Sequence, residues 1–272
     1  MRMKRIILLL AFLPCLLVFS ITGTAQPENE HRAGDRMVLT IKDVEYAFRW
    51  CPPGTFMMGS LEEPGRHSNE TQHQVTFSRG FWMLETPVTQ AMWTSVRDVN
   101  PSYFRGDDQL PVERVHWDDC QTVVKNLNEL GVAPAGFRFS LPTEAQWEYA
   151  CRAGTTTAFH FGNTLNADQA NFRSSGVGRT TNVGSYPANA WGLSDMHGNV
   201  WEWCLDWFGD YPENAVTDPT GGTRGRAPFR VIRGGAWDFN AGDCRSAHRF
   251  RRDPLIQSSL LGLRLSLVVE TR

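Results

Sequence analysis

The 272-residue chain is long enough for one large domain or two small ones, and its 41% hydrophobic and 21% charged residues are typical of a globular protein. Its formal net charge of −2, without a basic stripe in the sequence, gives no indication of nucleic-acid binding. The ten Trp and 24 Gly residues indicate a loop-rich fold whose core is held by large aromatic rings.

Residues 1–25 have the pattern of a secretory signal peptide. Three basic residues precede an apolar run and a small-residue cleavage site before Gln26. The apolar run is shorter than the roughly 20 residues of a membrane-spanning helix, which favours a cleaved signal peptide. An uncleaved membrane anchor is the alternative. Removing three basic residues and no acids changes the formal net charge from −2 to −5. We therefore expect a secreted or periplasmic protein, not membrane-bound after cleavage, with a disordered leader over 26–36.

Alternating apolar residues predict strands before the first helix. Residues 37–50 have the pattern of a strand pair, and a turn at 51–54 leads into a short strand. After a polar loop, residues 75–84 have the pattern of two further strands, interrupted at Arg79 and Gly80. The N-terminal part of the domain is therefore predicted to be mainly sheet.

Three helices are predicted from N-terminal capping signals. Thr89 caps the first, Asp118 begins the second at a capping-box spacing, and Thr143 begins the third with Gln146 three residues later. The second helix has a predicted buried stripe and ends at Gly131; the stripe comprises Val123, Val124, Leu127 and Leu130. Beyond the third helix the pattern is one of loops and short strands, which indicates a single α+β domain over residues 37–270.

The segment at 196–207, MHGNVWEWCLDW, is the most unusual stretch of the chain. Three Trp, two acids, an Asn and a Gly fall within it. Indole rings need a large apolar surface, whereas buried Asn and Glu need hydrogen bonds or a cation. We expect this segment to cross the centre of the domain, with its rings packed and its oxygens around a metal ion.

Eight motifs in order resemble the formylglycine-generating enzyme family, also called the sulfatase-modifying factor family. They run from about residue 50 to 268 and comprise PGTFMMG (53–59), ETPVT (85–89), VHWDD (115–119), LPTEAQWEY (141–149), GL (192–193), GNVWEW (198–203), RGGAW (233–237) and LGLR (261–264). The resemblance implies a loop-rich, often calcium-stabilised variant of the C-type-lectin-like fold.

The resemblance also implies which chemistry of the family is not expected in this chain. In the family's enzymes, two cysteines after the Gly-Gly pair bind copper and oxidise a substrate cysteine to formylglycine. Here the segment after Gly235 holds one cysteine, Cys244, and Phe239 stands near the first copper ligand's position. Paired thiolates hold Cu(I) in those enzymes, so we expect no copper site of this kind here. We also assign no catalytic residue and no residue that binds an organic cofactor.

The remaining cysteines and oxygen donors carry two further expectations from the resemblance. Cys151 and Cys244 match a disulfide pair of the family, with two buried free thiols as the alternative; such a bridge would contribute roughly 2–4 kcal/mol. The structural calcium site maps onto Asp195, Gly198, Val200 and Glu202, which supply carboxylate and carbonyl oxygens; an ion pair of Glu202 with an arginine such as Arg249 is the alternative. A second site would use Asn171 and Phe172.

Two functions are compatible with these expectations. The first is an exported, calcium-stabilised binding or accessory module, whose loops at 237–259 bind an unknown protein or small molecule, because loops on a rigid scaffold carry recognition. Some relatives with this fold are hypervariable ligand-binding proteins. The alternative is an oxidative maturation enzyme, an oxidoreductase of the same family that uses another cofactor.

Overall fold

The computed structural model describes residues 31–61, 66–221 and 228–270. The predicted signal peptide therefore lies outside the described residues. Within the described residues, the elements in chain order are β1 (Arg36–Ile41), β2 (Val44–Cys51), β3 (Gly54–Met58), β4 (His73–Phe77), β5 (Phe81–Leu84), α1 (Gln90–Val96), α2 (Trp117–Glu129), β6 (Phe137–Ser140), α3 (Glu144–Arg152), β7 (Trp201–Trp207), β8 (Val216–Thr217), β9 (Arg230–Arg233), β10 (Arg249–Arg252), β11 (Leu261–Leu263) and β12 (Ser266–Val269). The loops of the described part of the chain contain two short 3-10 helices, Arg173–Ser175 and Ala241–Cys244. This is the α+β fold that the sequence predicts.

Three sheets organise the molecule. The first has the order β1-β2-β5-β12-β6, the second β10-β9-β7-β11, and the third β3-β4-β8. The C-terminal strands complete two of them, because β12 lies between β5 and β6 and β11 pairs in parallel with β7. Elements distant in sequence therefore meet at the centre of the molecule.

The main core lies among the first sheet, the second sheet, α1 and α2. Five of the ten Trp contribute to it: Trp50, Trp82, Trp93, Trp201 and Trp203. A second cluster beneath α3 is built around Trp147 and Tyr149. The large rings hold loops and strands together, as the composition indicates, and β7 is buried along its first four residues.

The predicted strands and two of the three helix starts are confirmed. Strands β1 and β2 form an antiparallel hairpin, and β4 and β5 are separated near Arg79. The Thr89 side chain accepts a hydrogen bond from the Met92 N–H at the start of α1. Thr143 and Gln146 form the predicted capping box of α3. These starts are local features, so the sequence is enough to locate them.

The predictions for α2 and for the leader need correction. Helix α2 begins one residue earlier than predicted, with His116 as N-cap and Asp119 completing the capping box, and Leu130 is 45% exposed rather than buried. Residues 31–36, predicted to be part of a disordered leader, are ordered. The Gly34 N–H donates to the Trp50 carbonyl at 2.9 Å, and the His31 ring lies 4.9 Å from the Trp50 ring.

Candidate functional site

The candidate site surrounds the glycine doublet that follows β9. Gly234 and Gly235 have φ values of +100° and +77°, a region that side-chain-bearing residues rarely adopt. A Cβ atom added at Gly235 would overlap the Cys244 Sγ atom. The doublet therefore lets the chain turn sharply and brings Cys244 against the backbone.

The predicted disulfide between Cys151 and Cys244 is wrong: both are buried free thiols in the structure. The two sulfur atoms have different neighbours, because Cys244 Sγ lies at Gly235 whereas Cys151 Sγ donates to Ser246 Oγ at 3.5 Å. Burial raises the pKa of Cys151 to about 12 and the pKa of Cys244 further. Both thiols are therefore protonated at neutral pH and poor nucleophiles.

Aromatic packing occupies the place where the family resemblance expects a copper ligand. The Phe239 ring lies edge-on to Trp201, with 5.2 Å between ring centroids. Trp237 donates from Nε1 to the Ser259 carbonyl at 3.1 Å, and Phe104 packs on its ring. The segment is thus held by apolar contacts and by hydrogen bonds to Asn199 and Arg173, and the bond from Trp237 to Ser259 joins the two ends of residues 237–259.

Glu202 is paired with an arginine, but not with the one suggested by the sequence. Its fully buried carboxylate accepts hydrogen bonds from Arg264 at 2.9–3.1 Å and from Trp147 Nε1 at 2.6 Å. Arg249 pairs instead with Glu144, at 2.6 and 2.8 Å. Glu202 therefore ties α3, β7 and the C-terminal strands together.

Asp195 has an environment suited to a hard cation. Its Oδ2 accepts from the Gly184 N–H at 2.7 Å, whereas its Oδ1 is buried without a hydrogen-bond partner. Burial raises the pKa of Asp195 to about 6. An unpaired buried carboxylate oxygen costs free energy unless a cation or proton neutralises it. Gly198 and Val200 lie in the same buried stretch, which leads into β7.

The oxygens of the second predicted site have partners within the protein. Asn171 Oδ1 accepts from Ser175 Oγ at 3.2 Å, and the Phe172 carbonyl accepts from Ser175 N and Oγ at 2.9 and 2.7 Å. The Asn171 carbonyl accepts from the Asn199 N–H at 2.8 Å. These contacts close a structural loop around Ser175. Calcium fits Asp195 better than it fits this loop or Glu202, whose charge Arg264 already balances.

A network of buried charges under the site was not resolved by sequence reasoning. Arg233 and Arg249 are buried together with Glu144 and Glu148 of α3, and each arginine forms an ion pair with one of these glutamates. Arg233 bonds to Glu148 and to the His248 carbonyl. Glu144 and Glu148 are four residues apart, a spacing that places both carboxylates on one face of α3.

Among the described residues, one group of three His, Cys, Asp or Glu side chains has ligand atoms within 4.8 Å of one another. It consists of His67, Asp243 and His248. The seven histidines show no HxH or HxxxH spacing, and His67 lies in the polar loop before β4. The sequence therefore gives no signal for this group, because the two histidines are separated by most of the chain and only the fold brings them together.

Comparison with known proteins identifies the family. The sulfatase-modifying factor enzyme 1-like domain model matches residues 43–268. The chain belongs to this family. It is 32% identical to mouse formylglycine-generating enzyme over 71% of this chain and 52% of that protein. It is 46% identical to the serine/threonine-protein kinase pkn1 of Chlamydia caviae over 78% of this chain and 36% of that protein. The chain thus spans about half or less of these relatives.

Solved structures show the same fold. Treponema denticola variable protein 1 superposes with a TM-score of 0.74 at 27% identity, covering 85% of this chain and 98% of that one. PvdO from Pseudomonas aeruginosa superposes with a TM-score of 0.75 at 26% identity, covering 87% of this chain and 99% of that one. The fold class, a formylglycine-generating-enzyme variant of the C-type-lectin-like fold, is confirmed. Within the described residues, no helix is both long and apolar enough to cross a membrane.

Proposed function

We propose that this protein is an exported, calcium-stabilised binding or accessory module of the family and not a copper-dependent formylglycine synthase. One observation carries the proposal: the segment after the glycine doublet holds a single cysteine, Cys244, whose thiol is buried, while Phe239 packs on Trp201. Two thiolates facing a common ion cannot be formed from this segment. The basic and apolar pattern of residues 1–25 supports export.

The segment 237–259, predicted as loops, contains the 3-10 helix Ala241–Cys244 and strand β10, and its exposed part supports the binding role. It exposes apolar side chains, with Leu255 66% and Ile256 42% accessible. Its backbone is nevertheless fixed, because the Arg114 and Trp117 N–H groups donate to the carbonyls of Ser258 and Pro254 at 3.0 Å. Apolar side chains on a rigid loop are suited to contact with a protein or a small molecule, since little conformational entropy is lost on binding.

A peptide-oxidation assay tests the copper part of the proposal. The full chain is incubated with Cu(I), oxygen and a cysteine-containing sulfatase peptide, and the peptide is analysed by mass spectrometry. We expect the cysteine to remain unmodified, whereas formylglycine formation would contradict the proposal. The alternative, an oxidoreductase using another cofactor, predicts stoichiometric copper or iron and turnover of an oxidisable substrate.

Calcium dependence tests the structural part. Chelation of calcium is expected to lower the Tm of the wild-type protein, since an ion bound only to the folded state stabilises it. Asp195→Ala should abolish this calcium-dependent shift. Asp195→Asn keeps an oxygen donor and should retain most of the shift. Equal shifts in the wild type and both variants would contradict calcium binding at Asp195.

A further inference from the structure

Three side chains from distant parts of the chain meet beside the segment that follows the glycine doublet. His67 precedes β4, Asp243 lies in the 3-10 helix Ala241–Cys244, and His248 directly precedes β10. One ligand-capable atom of each lies within 4.8 Å of the other two. We propose that His67, Asp243 and His248 bind a divalent transition-metal ion. The proposal goes beyond the proposed function and does not depend on it.

His248 is the anchor of this site. Its side chain is 3% exposed, and its Nδ1 atom has no hydrogen-bond partner. Nδ1 lies 3.7 Å from Glu70 Oε1, whereas Nε2 lies 3.9 Å from Asp243 Oδ1. The two ring nitrogens therefore face two different carboxylates. A tautomer with its proton on Nδ1, towards Glu70, directs the Nε2 lone pair towards Asp243, where a metal ion would lie.

Glu70 orients the His248 ring and does not itself bind the ion. Its carboxylate is fully buried and is held by Arg245 through two hydrogen bonds of 2.8 Å and by Ser60 at 2.7 Å. A metal-binding histidine commonly directs its second nitrogen at such a carboxylate, which fixes the ring orientation. Because Arg245 balances the Glu70 charge, the free carboxylate available to an ion is that of Asp243.

The donor set selects a class of ion. Two imidazoles and one carboxylate suit Zn²⁺ and Fe²⁺ and their neighbours in the first transition row, whereas calcium prefers oxygen donors alone. Three protein ligands leave coordination positions open to water or another ligand. His67 is exposed, so the site opens to solvent. It is therefore chemically distinct from the oxygen donors around Asp195.

Small side-chain rotations are enough to close the site. Two ligand atoms that are each 2.0–2.1 Å from a tetrahedral ion lie about 3.3 Å apart. In this structure the three ligand atoms lie within 4.8 Å of one another. His67 is exposed and the Asp243 side chain is 29% exposed, so both can move towards the buried His248. The second Asp243 oxygen accepts from the Asn240 N–H at 3.2 Å, which leaves Oδ1 for the ion.

Metal titration of the full chain tests the proposal. The protein is stripped with chelator, resupplied with calcium, and titrated with Zn²⁺ by calorimetry and with Co²⁺ by visible spectroscopy. We expect one equivalent of either ion, a Zn²⁺-dependent rise in Tm, and cobalt bands without thiolate charge transfer. His67→Ala and Asp243→Asn should each weaken binding by more than the roughly 10–100-fold that loss of an outer partner costs.

Asp238→Asn is the matched control, because Asp238 is an exposed acid on the same segment, paired with Arg173 at 3.3 Å. It should bind Zn²⁺ as the wild type does. Both site variants alter partly or fully exposed side chains, so their metal-free Tm values should match that of the control. Absence of saturable binding in the wild type, unchanged affinity in both site variants, or a thiolate-to-cobalt band would overturn the assignment.

Discussion

At the scale of single residues, the C-terminal third is notable for buried arginines with carboxylate partners. Arg233, Arg245, Arg249 and Arg264 are each at most 3% exposed, and each forms an ion pair with a glutamate. A buried charge is tolerated only when a partner and hydrogen bonds replace its lost hydration. These pairs therefore fix the relative positions of α3, β7 and the C-terminal strands.

Glu148→Gln should be strongly destabilising. The Glu148 carboxylate accepts from Arg152 and from the Gly59 N–H at 2.9 Å, and it pairs with Arg233. Its neutralisation leaves Arg152 buried without an opposite charge, at an expected cost of about 3–5 kcal/mol in the free energy of unfolding. Urea denaturation measures this cost. Glu129→Gln breaks an exposed pair with Lys125 and should cost less than about 1 kcal/mol; equal effects would refute the prediction.

Asp206 should make stability depend on pH. Burial, with repulsion from Glu144, raises the pKa of Asp206 to about 7 in the folded protein. Between about pH 4 and this value, the unfolded chain releases the proton while the folded protein keeps it, so stability falls as pH rises. Asp206→Asn removes this effect. The variant should gain stability over the wild type by up to about 1.4 kcal/mol per pH unit across this window.

Unfolding free energies measured near pH 4 and near pH 8 check the Asp206 prediction. The difference between variant and wild type should be small at the lower pH and large at the higher one. Asn can still accept the hydrogen bond from the Glu144 N–H, which Asp206 accepts at 2.8 Å, so the comparison isolates the charge. The same difference at both pH values would show that the charge of Asp206 is not responsible.

At the scale of elements, the start of α2 depends on which acid closes the capping box. Asp119 Oδ2 accepts from the His116 N–H at 3.3 Å, whereas Asp118 has no capping-box role. Asp119→Ala should therefore cost about 0.5–2 kcal/mol of stability. Asp118→Ala, the matched control, should cost less than about 0.5 kcal/mol. Thermal denaturation of both variants measures the difference, and a larger loss for Asp118→Ala would favour the original sequence prediction.

The sequence is sufficient for features that depend on neighbouring residues. It predicts the β1–β2 hairpin, the Thr89 and Thr143 caps and the family motifs, because each is encoded within a few positions. It cannot show which of several arginines reaches Glu202, or that Cys244 faces Gly235 and not Cys151. Those contacts join positions far apart in the chain, so they depend on how the sheets assemble. The His67–His248 contact belongs to the same class.

At the scale of the whole molecule, the last strands hold two sheets together. Strand β12 pairs on both sides, with β5 and β6, and β11 pairs with β7. Removal of residues 261–272 would expose the sheet edges of all three partners and remove the buried Leu261, Leu263, Leu265 and Leu267. We expect this truncated chain to lose cooperative unfolding.

Circular dichroism melts and limited proteolysis measure the effect of truncation. Removal of residues 271 and 272 alone is the control, and should leave Tm unchanged because the strands end at Val269. A sharp melting transition in the chain that ends at residue 260 would contradict the role assigned to β11 and β12. Loss of the transition in both shortened chains would contradict a specific role of β11 and β12.

The position of β12 between β5 and β6 also has a consequence for biosynthesis. Roughly 180 residues separate β5 from β12, and closing a loop of this length carries a large entropic cost. While the chain is still attached to the ribosome, β5 lacks this neighbour. We expect this domain of the nascent polypeptide to stay sensitive to protease until residues 266–269, which form β12, have left the exit tunnel.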